Sequence, residues 1–262
     1  MAVICKRIGT LEYLVAENIT APHGFTTRLG GVSQGDLGAL NLGIHRGDDP
    51  ENVLKNYEIL GAALGFDPKD AVLSHQTHTD LVLPVTDAHK GVGLFGPELP
   101  ECDGLITNTP DVALVIFTAD CTPILLQDPV TGAVGAVHAG WRGTAAGIAE
   151  KAVQAMQTHY GCDPKNICAA IGPHIGLCCF ETGPEVPQAM LAALGPAAEP
   201  YIFPKGDKFF VDLTAMNTLF LQRAGVNNIQ YSTECTKCAP HRYWSARVHG
   251  DNRGSQGAVI VR

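Results

Sequence analysis

This 262-residue chain contains no uninterrupted apolar run of the roughly 18 residues that a membrane-spanning helix needs. Its apolar stretch 112–126 is broken by Asp120 and Pro123. The stretch Met1-Ala2-Val3-Ile4-Cys5-Lys6-Arg7 has no apolar segment long enough for a secretory signal, so a cytoplasmic protein is expected. Runs of Lys and Arg are missing too: 18 basic residues against 26 acidic ones leave a net charge of −8. Binding to nucleic acid or an anionic membrane through bulk charge is therefore disfavoured. There is no internal repeat, no low-complexity linker and no break in composition. With 45% hydrophobic and 17% charged residues, the composition is that of a globular chain rather than a disordered one. The expectation is one domain over 1–262.

Cysteine, by contrast, is plentiful. Nine cysteines are an odd number, so they cannot all pair with one another, and in a cytosolic chain metal or redox chemistry is read before disulfides. Cys235-Thr236-Lys237-Cys238 is a C-x-x-C, but no second C-x-x-C completes a four-cysteine zinc knuckle. Cys178-Cys179 is a vicinal pair, and Cys5, Cys102, Cys162 and Cys168 stand alone, readable as small buried apolar residues.

Cys121 stands apart because of three short segments: Ser74-His75-Gln76-Thr77-His78, Thr118-Ala119-Asp120-Cys121 and His138-Ala139-Gly140-Trp141-Arg142-Gly143. They offer His78, Cys121 and His138, two imidazoles and a thiolate that suit a divalent transition metal. Three protein ligands leave a fourth zinc position for water or substrate, as in catalytic rather than structural sites. The spacings of 43 and 17 residues mean that only the folded chain can assemble them. His75 and His78 are three apart, which in extended chain places them on opposite faces, and the flanking Val, Leu and Thr residues favour extended chain. One of the two histidines is then the ligand. A satisfied structural role is the alternative for each.

Val-, Ile- and Ala-rich runs predict strands at 113–117, 124–127, 133–137, 167–171, 228–231 and 258–261. Helices are predicted over 51–64, 144–159, 184–194 and 213–224, with Thr144 and Asp212 as N-caps of the second and fourth. Interleaved strands and helices make the fold class mixed α/β. Cys121 then lies at a strand end, where Pro123 is expected to interrupt ladder pairing, and His138 follows a strand and precedes Ala139-Gly140, where the backbone can approach a ligand closely.

The motifs together resemble the YfiH/laccase-domain family, also called multicopper polyphenol oxidase-like proteins and purine nucleoside phosphorylases. The resemblance runs from His23-Gly24-Phe25-Thr26-Thr27-Arg28-Leu29-Gly30-Gly31 and Gln76-Thr77-His78 to Asp103-Gly104-Leu105-Ile106-Thr107 and Ala119-Asp120-Cys121. It continues through His138-Ala139-Gly140-Trp141-Arg142-Gly143, Ile171-Gly172-Pro173, Cys178-Cys179-Phe180-Glu181 and Trp244-Ser245-Ala246-Arg247. It implies a single α/β domain with layered sheets between helices, related to the catalytic domain of cytotoxic necrotising factor toxins. It also implies His78, Cys121 and His138 as metal ligands, with His75 a bystander, and zinc as the usual metal, copper being claimed for members assayed as laccases.

The implied chemistry is phosphorolysis of adenosine, inosine, guanosine or 5'-methylthioadenosine, together with deamination of adenosine. The implied partners are a nucleoside and phosphate, with neither nucleic acid nor membrane, and no oligomeric state is implied. Catalytic roles are expected for Arg28, Asp120 and Cys121, with Asp120 orienting a metal ligand, and substrate or phosphate contacts for Arg28, Arg142 and Arg247. Arg253 is a fourth arginine beside the motifs, and Trp141 is a candidate to stack on a purine. For each arginine a structural ion pair is the alternative. The sequence departs from the family pattern at His174, where many members have a cysteine, and imidazole there also suits copper. Two other functions compete. One is a copper-dependent polyphenol oxidase, weakened by ten histidines without one His-x-His pair. The other is a peptidoglycan-editing hydrolase acting through the same metal.

Overall fold

The computed structural model describes residues 3–262; Met1 and Ala2, where the N-terminal reading above begins, lie outside the described residues. The chain runs through β1 (Val3–Ile8), β2 (Leu11–Ala16), β3 (His23–Thr26), α1 (Pro50–Leu64), β4 (Ala71–Leu73), β5 (Val82–Pro84) and β6 (Gly104–Thr107). Next come β7 (Ala113–Thr118), β8 (Thr122–Gln127), β9 (Val134–Ala139), α2 (Trp141–Ala145), α3 (Ile148–Tyr160) and β10 (Cys168–Ile171). It ends with β11 (Glu181–Thr182), α4 (Glu185–Leu194), β12 (Ile202–Lys205), β13 (Lys208–Val211), α5 (Leu213–Arg223), β14 (Asn228–Tyr231), α6 (Ala246–His249) and β15 (Gln256–Val261).

Two six-stranded sheets carry the fold, ordered β1-β2-β3-β15-β7-β4 and β14-β10-β8-β9-β6-β5, and a small sheet, β11-β13-β12, stands beside them. The alternation of side chains along each strand explains the layering. In β7, Leu114 and Ile116 meet Leu105, Leu125, Ala136 and Ala170 of the second sheet, while Ala113 and Val115 meet Val53, Tyr57 and Leu60 of α1. In β8, Leu125 faces the first sheet, and Ile124 and Leu126 pack under Ile148, Val153 and Met156 of α3 and Phe220 of α5. The result is a helix–sheet–sheet–helix sandwich. Both faces of the central strands are covered, which is why β7, β8 and β9 read as continuous apolar runs instead of alternating ones.

All six predicted strands and the 51–64, 184–194 and 213–224 helices are present. Asp212 caps α5, its carboxylate accepting from the Ala215 amide at 3.0 Å. The 144–159 helix needs correction. It is two helices, α2 starting at Trp141 after Gly140 and α3 starting after Gly147, whose φ of +77° breaks the helical path. Thr144 is therefore not an N-cap; it lies inside α2 and accepts from Asn217 Nδ2 at 3.2 Å. Pro123 does not interrupt the ladder either. It sits opposite His138 within the β8–β9 pairing, and its carbonyl accepts from the Gly172 amide at 2.9 Å.

Among the described residues no helix is long and apolar enough to cross a membrane.

Candidate active site

The chain passes between the two large sheets four times, and two of these crossings, β4–β5 and β7–β8, carry the site. His78 lies on the first of the two and Cys121 on the second. Each of these two contains a non-glycine residue in left-handed conformation: His78 itself, φ +64°, and Asp120, φ +89°. Such backbone costs about 1 kcal/mol or more and persists only where surrounding contacts enforce it. The segment around His78 is consequently a turn, not the extended chain expected from its composition. His138 comes from β9, near the β7–β8 crossing.

The enforcing contacts are identifiable. Gln76 pairs with β7 as a strand would, accepting from the Phe117 amide at 2.6 Å and donating to the Phe117 carbonyl at 2.8 Å. The buried Asp103 carboxylate accepts from the amides of Thr77, His78 and Thr79 at 3.2, 3.1 and 2.7 Å and from the Thr79 hydroxyl at 2.9 Å. The same carboxylate receives His138 Nδ1–H at 2.6 Å, and the Asp103 carbonyl accepts from the His138 amide at 2.7 Å. Asp103 thus builds the His78 turn and fixes the His138 tautomer together. Burial works against its charge, but the hydrogen bond and positive charge of His138 hold it below the usual carboxylate range.

His78, Cys121 and His138 come together, with their candidate ligand atoms all within 4.8 Å of one another. Cys121 Sγ is 3.8 Å from His78 Nε2, and the two rings meet edge to face with centroids 5.1 Å apart. Gly140 makes room for them, since a Cβ there would come within 2.7 Å of the His78 ring and 3.3 Å of Cys121 Sγ. Burial raises the Cys121 thiol, yet the charge of His138 and hydrogen bonds from both histidines outweigh it and bring the pKa down to about 6. Burial lowers His138, yet the Cys121 charge and the Asp103 hydrogen bond lift it to about 9. The donor set therefore favours a thiolate beside a cation. With Nδ1 given to Asp103, His138 has Nε2 left for a metal, and the residues fit a transition ion with one face open: His78 is exposed, Cys121 half-buried and His138 buried.

Two cavities meet at Cys121. One, of about 190 Å³, is bordered by the trio together with Arg46, Arg253 and Ser255. The other, of about 310 Å³, is walled by Trp141, Phe180 and Leu213, with Asp120 and Arg247 at its edge. His75 borders the first cavity, but its Nδ1 bonds the Leu99 carbonyl at 3.0 Å.

The other expected site residues are placed differently. Arg28 does not border either cavity; it donates to the Gly38 carbonyl at 3.0 and 2.8 Å and to the Pro240 carbonyl at 3.1 Å, and lies over the Trp244 ring. Arg142 is exposed and stacks on Trp141. Arg247 borders the second cavity, with Nη1 donating to the Glu181 carbonyl at 3.2 Å. Asp120 does not touch a histidine of the trio. Its carboxylate accepts from the Thr236 hydroxyl at 2.6 Å, the Ser245 hydroxyl at 2.9 Å and the Arg247 amide at 2.8 Å, tying the β14–α6 connection and the start of α6 to the β7–β8 crossing. The ligand-orienting place belongs to Asp103, and the arginines facing the trio are Arg46 and Arg253. His174 is buried with both ring nitrogens engaged, Nδ1 by the Gly172 carbonyl and Nε2 by the Thr214 hydroxyl, so it is not placed to bind copper.

The fold and site define a sheet-on-sheet α/β protein with a His, Cys, His trio, a candidate metal site, at the seam between its sheets. Residues 22–262 match the family described as multi-copper polyphenol oxidoreductase laccase, and the chain belongs to that family, the one that includes YfiH and YlmD. A Deinococcus radiodurans protein named purine nucleoside phosphorylase is 38% identical over 256 residues, 95% of this chain and 92% of the relative. The Geobacillus stearothermophilus protein named purine nucleoside phosphorylase YlmD is 37% identical over 243 residues, 91% of this chain and 88% of its own length. The crystal structure of YlmD from Geobacillus stearothermophilus superposes with a TM-score of 0.93 at 35% identity, covering 99% of both chains.

Proposed function

We propose that the chain is a zinc-dependent purine nucleoside phosphorylase, acting on adenosine, inosine, guanosine or 5'-methylthioadenosine with phosphate, and that it deaminates adenosine at the same site. The observation that carries this reading is the pairing, in one cavity, of the His78/Cys121/His138 trio with Arg46 and Arg253. The relatives named purine nucleoside phosphorylase support it.

Arg253 Nε is buried without a partner among the described residues, which is costly for a charged donor. Burial and the nearby charge of Arg46 both lower the Arg253 pKa. A phosphate dianion between the two guanidiniums would satisfy the orphan donor and remove their repulsion. Held there, phosphate attacks C1' of the nucleoside as the bond to the purine breaks and its electrons pass to the base. Trp141 and Phe180 offer the purine an apolar wall in the adjoining cavity. Asp103 holds His138 in one tautomer and His78 in one turn, so the trio needs little rearrangement when it is loaded. Zinc, when bound by the trio, supplies Lewis acidity and makes water nucleophilic near neutral pH, the requirement for deamination. A cytoplasmic setting belongs to the proposal, because reducing conditions keep Cys121 in its ligand form.

A copper-dependent polyphenol oxidase is the second reading, favoured by the family's description and by a His, Cys, His donor set that also suits copper. The two readings separate in steady-state kinetics. Phosphorolysis predicts that Arg253→Gln raises the KM for phosphate about 10-fold or more, the loss of one charge-assisted contact, with a smaller change in the KM for nucleoside. Phenol oxidation without phosphate-dependent base release would instead support the copper reading.

A further inference from the structure

Cys178, Cys179, Cys235 and Cys238 lie on two loops widely separated in sequence. The strands that precede them, β10 and β14, are parallel neighbours in the second sheet, so both loops leave the same end of it. The backbones then join through a bridge between His174 and Cys235 and the Thr236 amide donating to the His174 carbonyl at 3.0 Å. This brings all four sulfurs within 4.8 Å of one another. Cys178 to Cys179 is 3.7 Å, Cys178 to Cys238 is 3.6 Å and Cys179 to Cys238 is 3.4 Å.

We propose that these four cysteines form a second, structural zinc site of the tetrathiolate type. Zinc–sulfur bonds of about 2.3 Å in a tetrahedron set the sulfurs about 3.8 Å apart, close to the spacings found here. The Gly176 amide donates to Cys235 Sγ at 3.2 Å, the kind of contact that supports a thiolate. The Cys235–Cys238 turn is closed by the Ala239 amide to the Cys235 carbonyl at 3.2 Å. Sulfurs packed this closely repel one another as thiolates, and a divalent cation removes that cost. Four protein ligands leave no open position, so the site does no chemistry of its own.

Its role is to hold the wall of the active site. Thr236, between the two ligands of the second loop, donates to the Asp120 carboxylate, and the Ile175 amide of the first loop donates to the Asp120 carbonyl at 3.0 Å. Asp120 is the left-handed residue immediately before Cys121. A metal that clamps the two loops therefore steadies the crossing that presents Cys121 to the trio.

The test counts metal in protein purified under reducing conditions, comparing wild type, His78→Ala and the double variant Cys178→Ser/Cys238→Ser. Cys178 and Cys238 are exposed, so packing tolerates serine, and circular dichroism checks that each protein folds. The expected zinc content is two per chain in wild type and one in each variant. Cobalt titration of His78→Ala stripped of its zinc should give the strong sulfur-to-cobalt charge transfer of a tetrathiolate, absent when Cys178→Ser/Cys238→Ser is added. Equal zinc in the double variant and wild type would overturn the proposal. So would folded, zinc-stripped His78→Ala protein with no cobalt–thiolate absorption, or recovery of the four cysteines as disulfides from that reduced protein.

Discussion

Asp103 holds two of the three candidate ligands at once, and its two carboxylate oxygens cannot be mimicked by an amide. Asparagine there would present an NH2 group to donors that need an acceptor, either to the His78 turn or to His138 Nδ1–H. Asp103→Asn is expected to weaken metal binding by the trio about 10- to 100-fold, measured by competition with a chromophoric chelator. Unchanged affinity would mean that the carboxylate only shapes the turn. Cys121 gives a second test at this scale. Its pKa of about 6 lies below the ordinary thiol value, so in metal-free protein the thiolate forms as pH rises through about 6 and persists above it. Alkylation of the Cys121 peptide by iodoacetamide should therefore rise with pH around 6 and flatten well before the range where free thiols ionise. The three candidate ligands, which the fold brings together, were legible because each sits in a short, specific segment of sequence. Asp103 stood within a recognised motif, but its place beside His138 is a contact across 35 residues that no local pattern encodes. Arg46 and Arg253 were missed as a pair for the same reason, and Arg28 looked suitable because adjacent glycines signal close approach without saying what approaches.

Elements with both faces covered left the clearest trace. Strands β7, β8, β9, β10 and β15 were readable as apolar runs, α1 as a helical segment, and α5 as one that follows its cap Asp212. Short or exposed strands such as β1, β4 and β11 left little, because few of their residues enter the core or they are too short to show a period. The break between α2 and α3 was hidden, since one glycine inside a helical pattern is ordinarily tolerated. Here its φ of +77° is the hinge, and an added Cβ would also approach the Phe220 ring at 3.3 Å. Gly147→Ala is expected to cost about 1–2 kcal/mol, seen as a lower urea midpoint with unchanged slope. Wild-type stability would mean that the helix pair adjusts to a continuous path. The four-cysteine cluster belongs to this scale as well: a C-x-x-C and a vicinal pair have no shared pattern, and only the parallel pairing of β10 with β14 puts them side by side.

The whole molecule explains why the site lies where it does. Two sheets packed face to face require the chain to cross between them, and the crossings cannot join either ladder, so polar and strained residues collect there. His78 and Cys121 ride on two such crossings, and the sheet–sheet core beneath keeps them in register with His138. Arg46 and Arg253 border the cavity of the trio, which in the proposed function places the phosphate there rather than elsewhere on a chain of net negative charge. The measurement that tests this account most directly follows labelled phosphate in a reaction of zinc-loaded protein with adenosine, with His78→Ala and Arg253→Gln alongside. The account predicts adenine together with label in ribose 1-phosphate for wild type, little label for Arg253→Gln at low phosphate, and none for His78→Ala. Release of adenine with unlabelled ribose, or no nucleoside turnover by protein confirmed to hold zinc, would contradict it.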